Sequence, residues 1–115
     1  MLVWPDQRQV DEAVRAWAVK EAAKHPELSR LGYFGSYARG DWGVGSDLDL
    51  VAVVEDSPEP FERRALTWDL YPLPVPADLL VYTEQEWDRM QREASAFFRR
   101  LARELIWIYP PPSPA

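Results

Sequence analysis

Two aspartates, Asp47 and Asp49, stand one residue apart at the start of an apolar run, in the stretch GSDLDL at residues 45–50. Residues two apart on a strand project from the same face, about 6–7 Å from one another. Two carboxylates held about 5 Å apart repel each other by roughly 3 kcal/mol at an effective dielectric of about 20. A divalent cation would relieve this repulsion, and hard oxygen ligands of this kind suit Mg²⁺ or Mn²⁺.

A second group of residues has the character of a phosphate site. Gly35 and Ser36 stand where a predicted strand ends and a short helix begins. Backbone N–H groups at a helix start, together with a serine hydroxyl, bind phosphate, and glycine lets the backbone approach closely. Arg39, one turn later, can direct its guanidinium at the same phosphates. The other interpretation of Arg39 is a surface ion pair with Asp41.

A third carboxylate, Asp78, is placed near the first two by the expected topology. About a dozen residues link the predicted strand 28–34 to the predicted strand 47–54, which favours an antiparallel pair. The next link is long enough to carry a crossover helix, so strand 77–82 can run parallel to strand 47–54. Asp78 then lies at the same sheet edge as the aspartate pair. A phosphate site beside carboxylate-held metal ions is the layout of metal-assisted phosphoryl or nucleotidyl transfer.

The elements that must position these residues follow from hydrophobic spacing and from capping and breaking residues. Asp6 is the expected N-cap of the first helix, and Thr83 with Glu86 fits a capping box. The whole order is typical of an α/β fold, a small mixed β-sheet with helices packed on it. The predicted elements are helix 7–24, strand 28–34, a short helix within 35–46, strand 47–54, helix 61–70, strand 77–82, a helix from the Thr83 cap to Ala94, helix 96–104 and strand 105–109.

Further expectations and alternatives concern individual side chains. Phe61 and Leu66 are expected to face inward from their helix, whereas His25 is expected at the surface, at the end of the first helix. Tyr37 and Trp42 can either stack on a nucleotide base or pack within their own loop. The alternative for the aspartates is a capped turn with one solvated carboxylate, and for Asp78 an ordinary residue at a strand start.

Length and composition exclude several classes of protein and of functional site. The 115 residues suffice for one domain with a modest core, expected at 1–109, followed by a Pro-rich tail at 110–115. A net charge of −6 offers no overall basic surface, so nucleic acid is not expected as a direct tight ligand. The absence of cysteine excludes disulfides, thiolate zinc sites and a cysteine nucleophile. Neither a signal peptide nor a membrane-spanning stretch is recognisable, so the expected location is the cytoplasm.

The motif resembles that of a known superfamily. The run GSYARG at residues 35–40, followed by GSDLDL at 45–50, resembles the GS-x-x-R-G … SD-x-D signature of polymerase β-like nucleotidyltransferases. More narrowly, the chain is similar to the minimal nucleotidyltransferases (MNT) that are paired with HEPN-domain proteins in prokaryotic toxin–antitoxin systems. The element order extends this likeness from about residue 10 to residue 109. The fold implied is the polymerase β-like nucleotidyltransferase fold.

The resemblance also implies roles for individual residues. The Gly35–Ser36 turn would hold the triphosphate of an NTP, ATP being the first candidate, and Arg39 would contact its phosphates. Asp47 and Asp49 would bind Mg²⁺ or Mn²⁺, while Asp78 would complete the metal site and help to deprotonate the attacking hydroxyl. The implied reaction is Mg²⁺-dependent transfer of a nucleoside monophosphate to a hydroxyl acceptor, on a partner such as a HEPN ribonuclease toxin.

Two functions without catalysis stay open at this point. The chain can act as an antitoxin that neutralises its HEPN partner by complex formation alone. It can also be a nucleotide-binding or scaffold module that does not turn its nucleotide over. Since no companion domain for the base or the acceptor is apparent in 115 residues, a partner chain or a homodimer is expected.

Overall fold

The structure of the chain is a computed structural model that describes residues 3–112. Within that range, the helices and strands follow the predicted order, and the predicted fold class, a small mixed sheet with helices packed on it, is confirmed. The predicted Pro-rich tail extends beyond the described residues, which end at 112. In chain order the elements are α1 (Gln7–Lys24), β1 (Leu28–Phe34), α2 (Ser36–Arg39), β2 (Leu48–Val54), α3 (Phe61–Arg64), β3 (Ala77–Thr83), α4 (Glu84–Glu93), α5 (Ala96–Glu104) and β4 (Ile106–Tyr109).

The four strands form one sheet in the order β3-β2-β1-β4. β1 and β2 are antiparallel, and β3 runs parallel to β2, as the lengths of the two links predict. β4 pairs antiparallel with β1 at the other edge of the sheet. No helix among residues 3–112 has the length and apolar character needed to cross a bilayer.

The sheet is covered on both faces, which explains why β2 is almost continuously apolar. Side chains alternate between the two faces along β2, so that even-numbered residues face α1 and odd-numbered residues face α4 and α5. The core on the α1 side includes Val10, Val14, Trp17, Ala18, Leu31, Tyr33, Leu50, Ala52, Leu79 and Val81. The core on the α4 and α5 side is formed by Phe34, Val51, Val53, Trp87, Phe98 and Leu101.

The helix starts agree with the capping residues. Asp6 accepts a hydrogen bond from the Gln9 N–H at the start of α1, and Thr83 forms the expected capping box with Glu86 at the start of α4. The Glu86 carboxylate also accepts a hydrogen bond from Arg64 at the end of α3. The capping box therefore connects the crossover segment to the helix that follows β3.

The predicted helix 61–70 is wrong in its length and in its buried face. α3 ends at Arg64 and continues only as a 3₁₀ turn over Ala65–Thr67. Phe61 is 39% exposed and Leu66 is 75% exposed, so neither points into the core as expected. The residue of this segment that packs in the core beside α1 is instead Trp68, just after the turn, against Trp17.

His25 is buried at the end of α1, whereas the sequence indicated a surface position. Its ring stacks on Trp68, with centroids 3.8 Å apart and planes 5° from parallel. Its Nδ1 lies 2.9 Å from Oε1 of Glu27. Trp68, which packs in the core, thus also covers His25.

A polar contact fixes α1 on the sheet. The hydroxyl of Tyr33, on β1, donates a hydrogen bond of 2.6 Å to Oδ2 of Asp11, and Arg15 Nε lies 2.6 Å from Oδ1 of the same carboxylate. Burial alone would raise the pKa of Asp11, but the hydrogen bonds from Arg15 and Tyr33 outweigh it and lower this pKa. The carboxylate is therefore held in its charged form.

Replacing Tyr33 by Phe should lower the free energy of unfolding by about 1–2 kcal/mol, because the ring stays packed and only a hydrogen bond to a charged group is lost. Since the pKa of Asp11 is lowered, its stabilising charge is present above the usual aspartate range and disappears as the pH falls through the folded-state value. The difference between the two proteins should therefore shrink on acidification. Urea denaturation at several pH values measures it, with Tyr71→Phe, at a 94% exposed tyrosine, as control. Equal losses in both variants would contradict the prediction.

Candidate active site

The sheet register brings two of the three predicted acidic residues side by side. Asp49 on β2 pairs with Asp78 on β3 and, on its other side, with Phe34 at the end of β1. Residues in register on neighbouring strands share a face of the sheet. Asp49 and Asp78 therefore lie on the face that α4 and α5 cover, and Asp47 stands one residue before β2 begins.

Asp49 is the most constrained of these carboxylates. It is half-buried, whereas Asp47 and Asp78 are exposed. Burial raises its pKa, and the negative charges of Asp78 and Asp47 raise it further, while Arg100 and Arg39 act in the opposite direction. The carboxylate thus carries unfavourable charge that two arginines only partly offset.

Gly35 makes room for this carboxylate. It connects β1 to α2 with φ +82° and ψ −155°, a backbone conformation that is strained for every residue except glycine. A Cβ atom at this position would also overlap Oδ2 of Asp49. The acidic residue of β2 and the glycine of the turn are therefore in direct contact, as two parts of one site.

The turn leaves hydrogen-bond donors free. The backbone N–H groups at the start of a helix have no partner within the helix. Among the residues that the structure describes, none supplies an acceptor for the N–H of Ser36 or of Tyr37. The Gly35 carbonyl accepts the N–H groups of Ala38 and Arg39 instead, which closes the short helix. Two N–H donors are thus available beside Asp49.

Arg39 pairs with two carboxylates. Its Nε lies 3.1 Å from Oδ2 of Asp41, so the ion pair considered from the sequence is present. Its Nη1 lies 3.0 Å from Oε1 of Glu104, the last residue of α5. The same oxygen of Glu104 accepts the N–H of Gly35 at 3.1 Å.

Sequence reasoning missed Glu104. It is 69 residues away from Gly35 along the chain, and it ends an amphipathic helix rich in arginine. The spacing of four between Arg100 and Glu104 indicates only a local ion pair on that helix. Its position beside Gly35 depends on the pairing of β4 with β1.

The two aromatic residues of the motif loop mainly pack on each other. Tyr37 is fully buried, and its hydroxyl accepts a hydrogen bond of 2.7 Å from Nε1 of Trp4. The Trp42 ring stacks on Tyr37, with centroids 5.8 Å apart and planes 6° from parallel. Tyr37 therefore packs within the loop, which is one of the two alternatives expected from the sequence.

The donor set fits a divalent cation in type and in charge. A depression of about 500 Å³ is lined by Asp49 and Asp78 together with Phe34 and neighbouring apolar residues. Carboxylate oxygens are the donors that Mg²⁺ prefers, and the excess negative charge at Asp49 is what a cation would relieve. Over residues 3–112, however, no three His, Cys, Asp or Glu side chains are grouped closely enough to hold a metal ion. Closure around a cation would require the exposed Asp47 and Asp78 side chains to turn towards Asp49.

The family follows from comparison of the sequence with known proteins. A model of the nucleotidyltransferase domain matches residues 17–106, most of the chain. The chain therefore belongs to the nucleotidyltransferase domain family, as the motif indicates. No match was found among curated proteins.

Solved structures share the fold. A protein from Sulfolobus solfataricus, described as a candidate nucleotidyltransferase, superposes with a TM-score of 0.63 at 22% identity, covering 88% of this chain and 80% of its own. A toxin–antitoxin structure with AMP-PNP superposes with a TM-score of 0.52 at 18% identity, covering 83% of this chain and 72% of the other. At these identities, the likeness is one of fold.

Replacing Gly35 by Ala should lower the free energy of unfolding by about 2 kcal/mol or more, because the backbone strain adds to the overlap with Asp49. Gly45→Ala is the matched control, since Gly45 likewise has a positive φ, +87°, but a methyl group added there would meet no atom within 4 Å. It should cost only about 1 kcal/mol, the strain alone. Urea denaturation of both variants measures the difference, and equal losses would show that the contact with Asp49 is unimportant.

Replacing Asp49 by Asn should leave the protein as stable at neutral pH or raise its free energy of unfolding by up to about 1 kcal/mol, the scale of a partly solvated charge interaction. Because the pKa of Asp49 is raised, the cost of its charge is present above the folded-state pKa and vanishes below the unfolded-state pKa. The gain should thus disappear in acid. Thermal unfolding from pH 3 to pH 8 tests this, with exposed Asp56→Asn as control. A loss of stability at neutral pH in the Asp49 variant alone would contradict it.

Proposed function

We propose that this chain is a Mg²⁺-dependent nucleotidyltransferase that transfers a nucleoside monophosphate from an NTP to a hydroxyl acceptor, with ATP as the first candidate. The observation that carries the proposal is the contact of the Asp49 carboxylate with the Gly35 turn, beside Asp78, in a chain of the nucleotidyltransferase domain family. This contact puts carboxylate oxygens and free N–H donors at one rim of the sheet.

The N–H donors and the arginine hold the triphosphate in this proposal. The N–H groups of Ser36 and Tyr37, with the Ser36 hydroxyl, bind phosphate oxygens at the start of α2. Arg39 has five N–H donors, of which Asp41 and Glu104 each engage one, so the others can contact phosphate. The proposal requires the α-phosphate to face the acidic residues.

Asp47, Asp49 and Asp78 would hold the metal ions. When bound there, Mg²⁺ would supply Lewis acidity, which would lower the pKa of the attacking hydroxyl and offset the charge of the leaving pyrophosphate. The acceptor oxygen forms a bond to the α-phosphorus as the bond to pyrophosphate breaks. We assign acceptance of the hydroxyl proton to Asp78, an exposed carboxylate at the edge strand β3.

The acceptor is proposed to lie on a partner protein, as in an MNT-type antitoxin that modifies a HEPN ribonuclease. The second structural neighbour is a toxin–antitoxin structure with AMP-PNP, an ATP analogue, which supports testing ATP and a protein partner first. A neighbouring gene for a small helical HEPN protein would identify the partner to purify. A homodimer is the alternative arrangement that would supply missing acceptor contacts.

The test is a transfer assay with the full chain, Mg²⁺, the candidate partner and ATP labelled at either the α- or the γ-phosphate. The α-label should become attached to the partner and the γ-label should be released in pyrophosphate. Asp47→Asn and Asp49→Asn should each reduce transfer by about 10²-fold or more, the scale of losing a group that stabilises transition-state charge. Asp56→Asn, an exposed aspartate beyond the other end of β2, should not.

Three other outcomes separate the alternatives. ATP binding without transfer, together with a complex that survives in the Asp49 variant, would indicate a partner that acts by complex formation. Transfer that is unchanged in both aspartate variants would contradict the proposed site. A chain that binds no nucleotide with or without Mg²⁺ would contradict the proposed function itself.

A further inference from the structure

One carboxylate oxygen links both ends of the phosphate-binding motif. Oε1 of Glu104 accepts the N–H of Gly35 at 3.1 Å and the Nη1 of Arg39 at 3.0 Å. Its other oxygen lies 3.6 Å from Nε of Arg100, and only 13% of the side chain is exposed. Hydrogen bonds to an ionised carboxylate are the stronger ones, so this is a substantial link between α5 and the motif.

The backbone of Glu104 is fixed where the link needs it. The residue ends α5, whose last turn is closed by a hydrogen bond from the Leu105 N–H to the Leu101 carbonyl. β4 begins two residues later and pairs Ile106 with Tyr33 on β1. Tyr33 is itself two residues before Gly35, so the sheet sets the distance between Glu104 and the turn.

The short helix α2 depends on such outside support. It has four residues, and its N-cap Gly35 provides no side-chain hydrogen bond. Within residues 3–112, the side chain of Arg39 forms ion pairs with Asp41, which is exposed and only two residues away, and with Glu104. Glu104 is thus the partner that ties Arg39 to the rest of the fold.

We propose that Glu104 is a positioning residue for the nucleotide site, an inference that rests on the proposed function. Its carboxylate holds the Gly35 turn and takes one N–H of the Arg39 guanidinium, so that the remaining N–H groups of Arg39 face the triphosphate. The effect of Glu104 on the nucleotide then passes through Arg39 and through the Gly35 turn. A carboxylate that instead competed with phosphate for the same two donors would have the opposite effect on affinity.

The experiment measures the Kd of Mg²⁺·AMP-PNP by calorimetry for the full chain and its variants. Glu104→Ala should weaken binding about 5- to 10-fold, the fold-change that corresponds to the net contribution of one ordinary hydrogen bond, about 1–1.4 kcal/mol. Glu104→Gln should recover most of this loss, because its amide oxygen can accept the same two hydrogen bonds. Glu104→Asp keeps the charge but withdraws the oxygen by one methylene, and should bind as weakly as Glu104→Ala. Glu93→Ala, an exposed glutamate that likewise ends a helix, is the matched control.

Two further readouts separate positioning from general destabilisation. The loss of binding free energy in the Arg39→Ala, Glu104→Ala double variant should be smaller than the sum of the two single losses, since part of the effect of Glu104 passes through Arg39. Amide hydrogen exchange of residues 35–40, measured without nucleotide, should be faster in Glu104→Ala and close to wild type in Glu104→Gln.

Failure of the inference about Glu104 can be distinguished from failure of the proposed function. Tighter binding by Glu104→Ala or Glu104→Asp would overturn the inference and identify Glu104 as a competitor of phosphate. Unchanged binding in both would overturn it as well. If Glu104→Ala does not fold, weaker binding by Glu104→Asp than by Glu104→Gln supports positioning and the reverse order overturns it. A wild-type chain without any nucleotide binding would overturn the proposed function and this inference together.

Discussion

The half-buried carboxylate of Asp49, held against the backbone of Gly35, is the constraint on which the candidate site depends. Burial and two neighbouring aspartates make its charge unfavourable, and the arginines nearby offset this only in part. Additional positive charge close to Asp49 would therefore stabilise the charged form of its carboxylate. In the proposed function, a divalent cation with a triphosphate beside it supplies this positive charge.

The fold enforces this contact through the central strands. β2 is paired on both sides and covered on both faces, so the position of Asp49 cannot shift without moving the cores. The antiparallel partner β1 delivers Gly35 and the start of α2, and the parallel partner β3 delivers Asp78 in register. The apolar residues of β2 therefore anchor the strand between the two cores, while its first residues carry the charges.

Much of this arrangement could be predicted from the sequence because it depends on local signals. Apolar runs and capping residues located most elements, and the lengths of the two links gave the strand directions. The motif identified Gly35, Asp47 and Asp49 as candidates, and topology added Asp78. Their roles in catalysis stay predictions.

The features that sequence reasoning missed depend on contacts between distant parts of the chain. Glu104 reaches Gly35 only because β4 pairs with the edge of β1, and nothing in the composition of α5 indicates that pairing. His25 is buried because Trp68 stacks on it. Two strands, β1 and β2, separate these residues along the chain, so the sequence does not reveal their contact. The helix after residue 60 was predicted too long because the pattern does not reveal that Trp68, and not Leu66, fills the core.

The most direct test is a crystal structure of the full chain with Mn²⁺ and AMP-PNP, in which the anomalous signal of Mn²⁺ locates the cation. The account predicts Mn²⁺ in contact with a carboxylate oxygen of Asp49, shared with Asp47 or Asp78, and the triphosphate on the N–H groups of Ser36 and Tyr37. A cation or triphosphate bound elsewhere, with Asp49 left facing Gly35 and no metal, would contradict it.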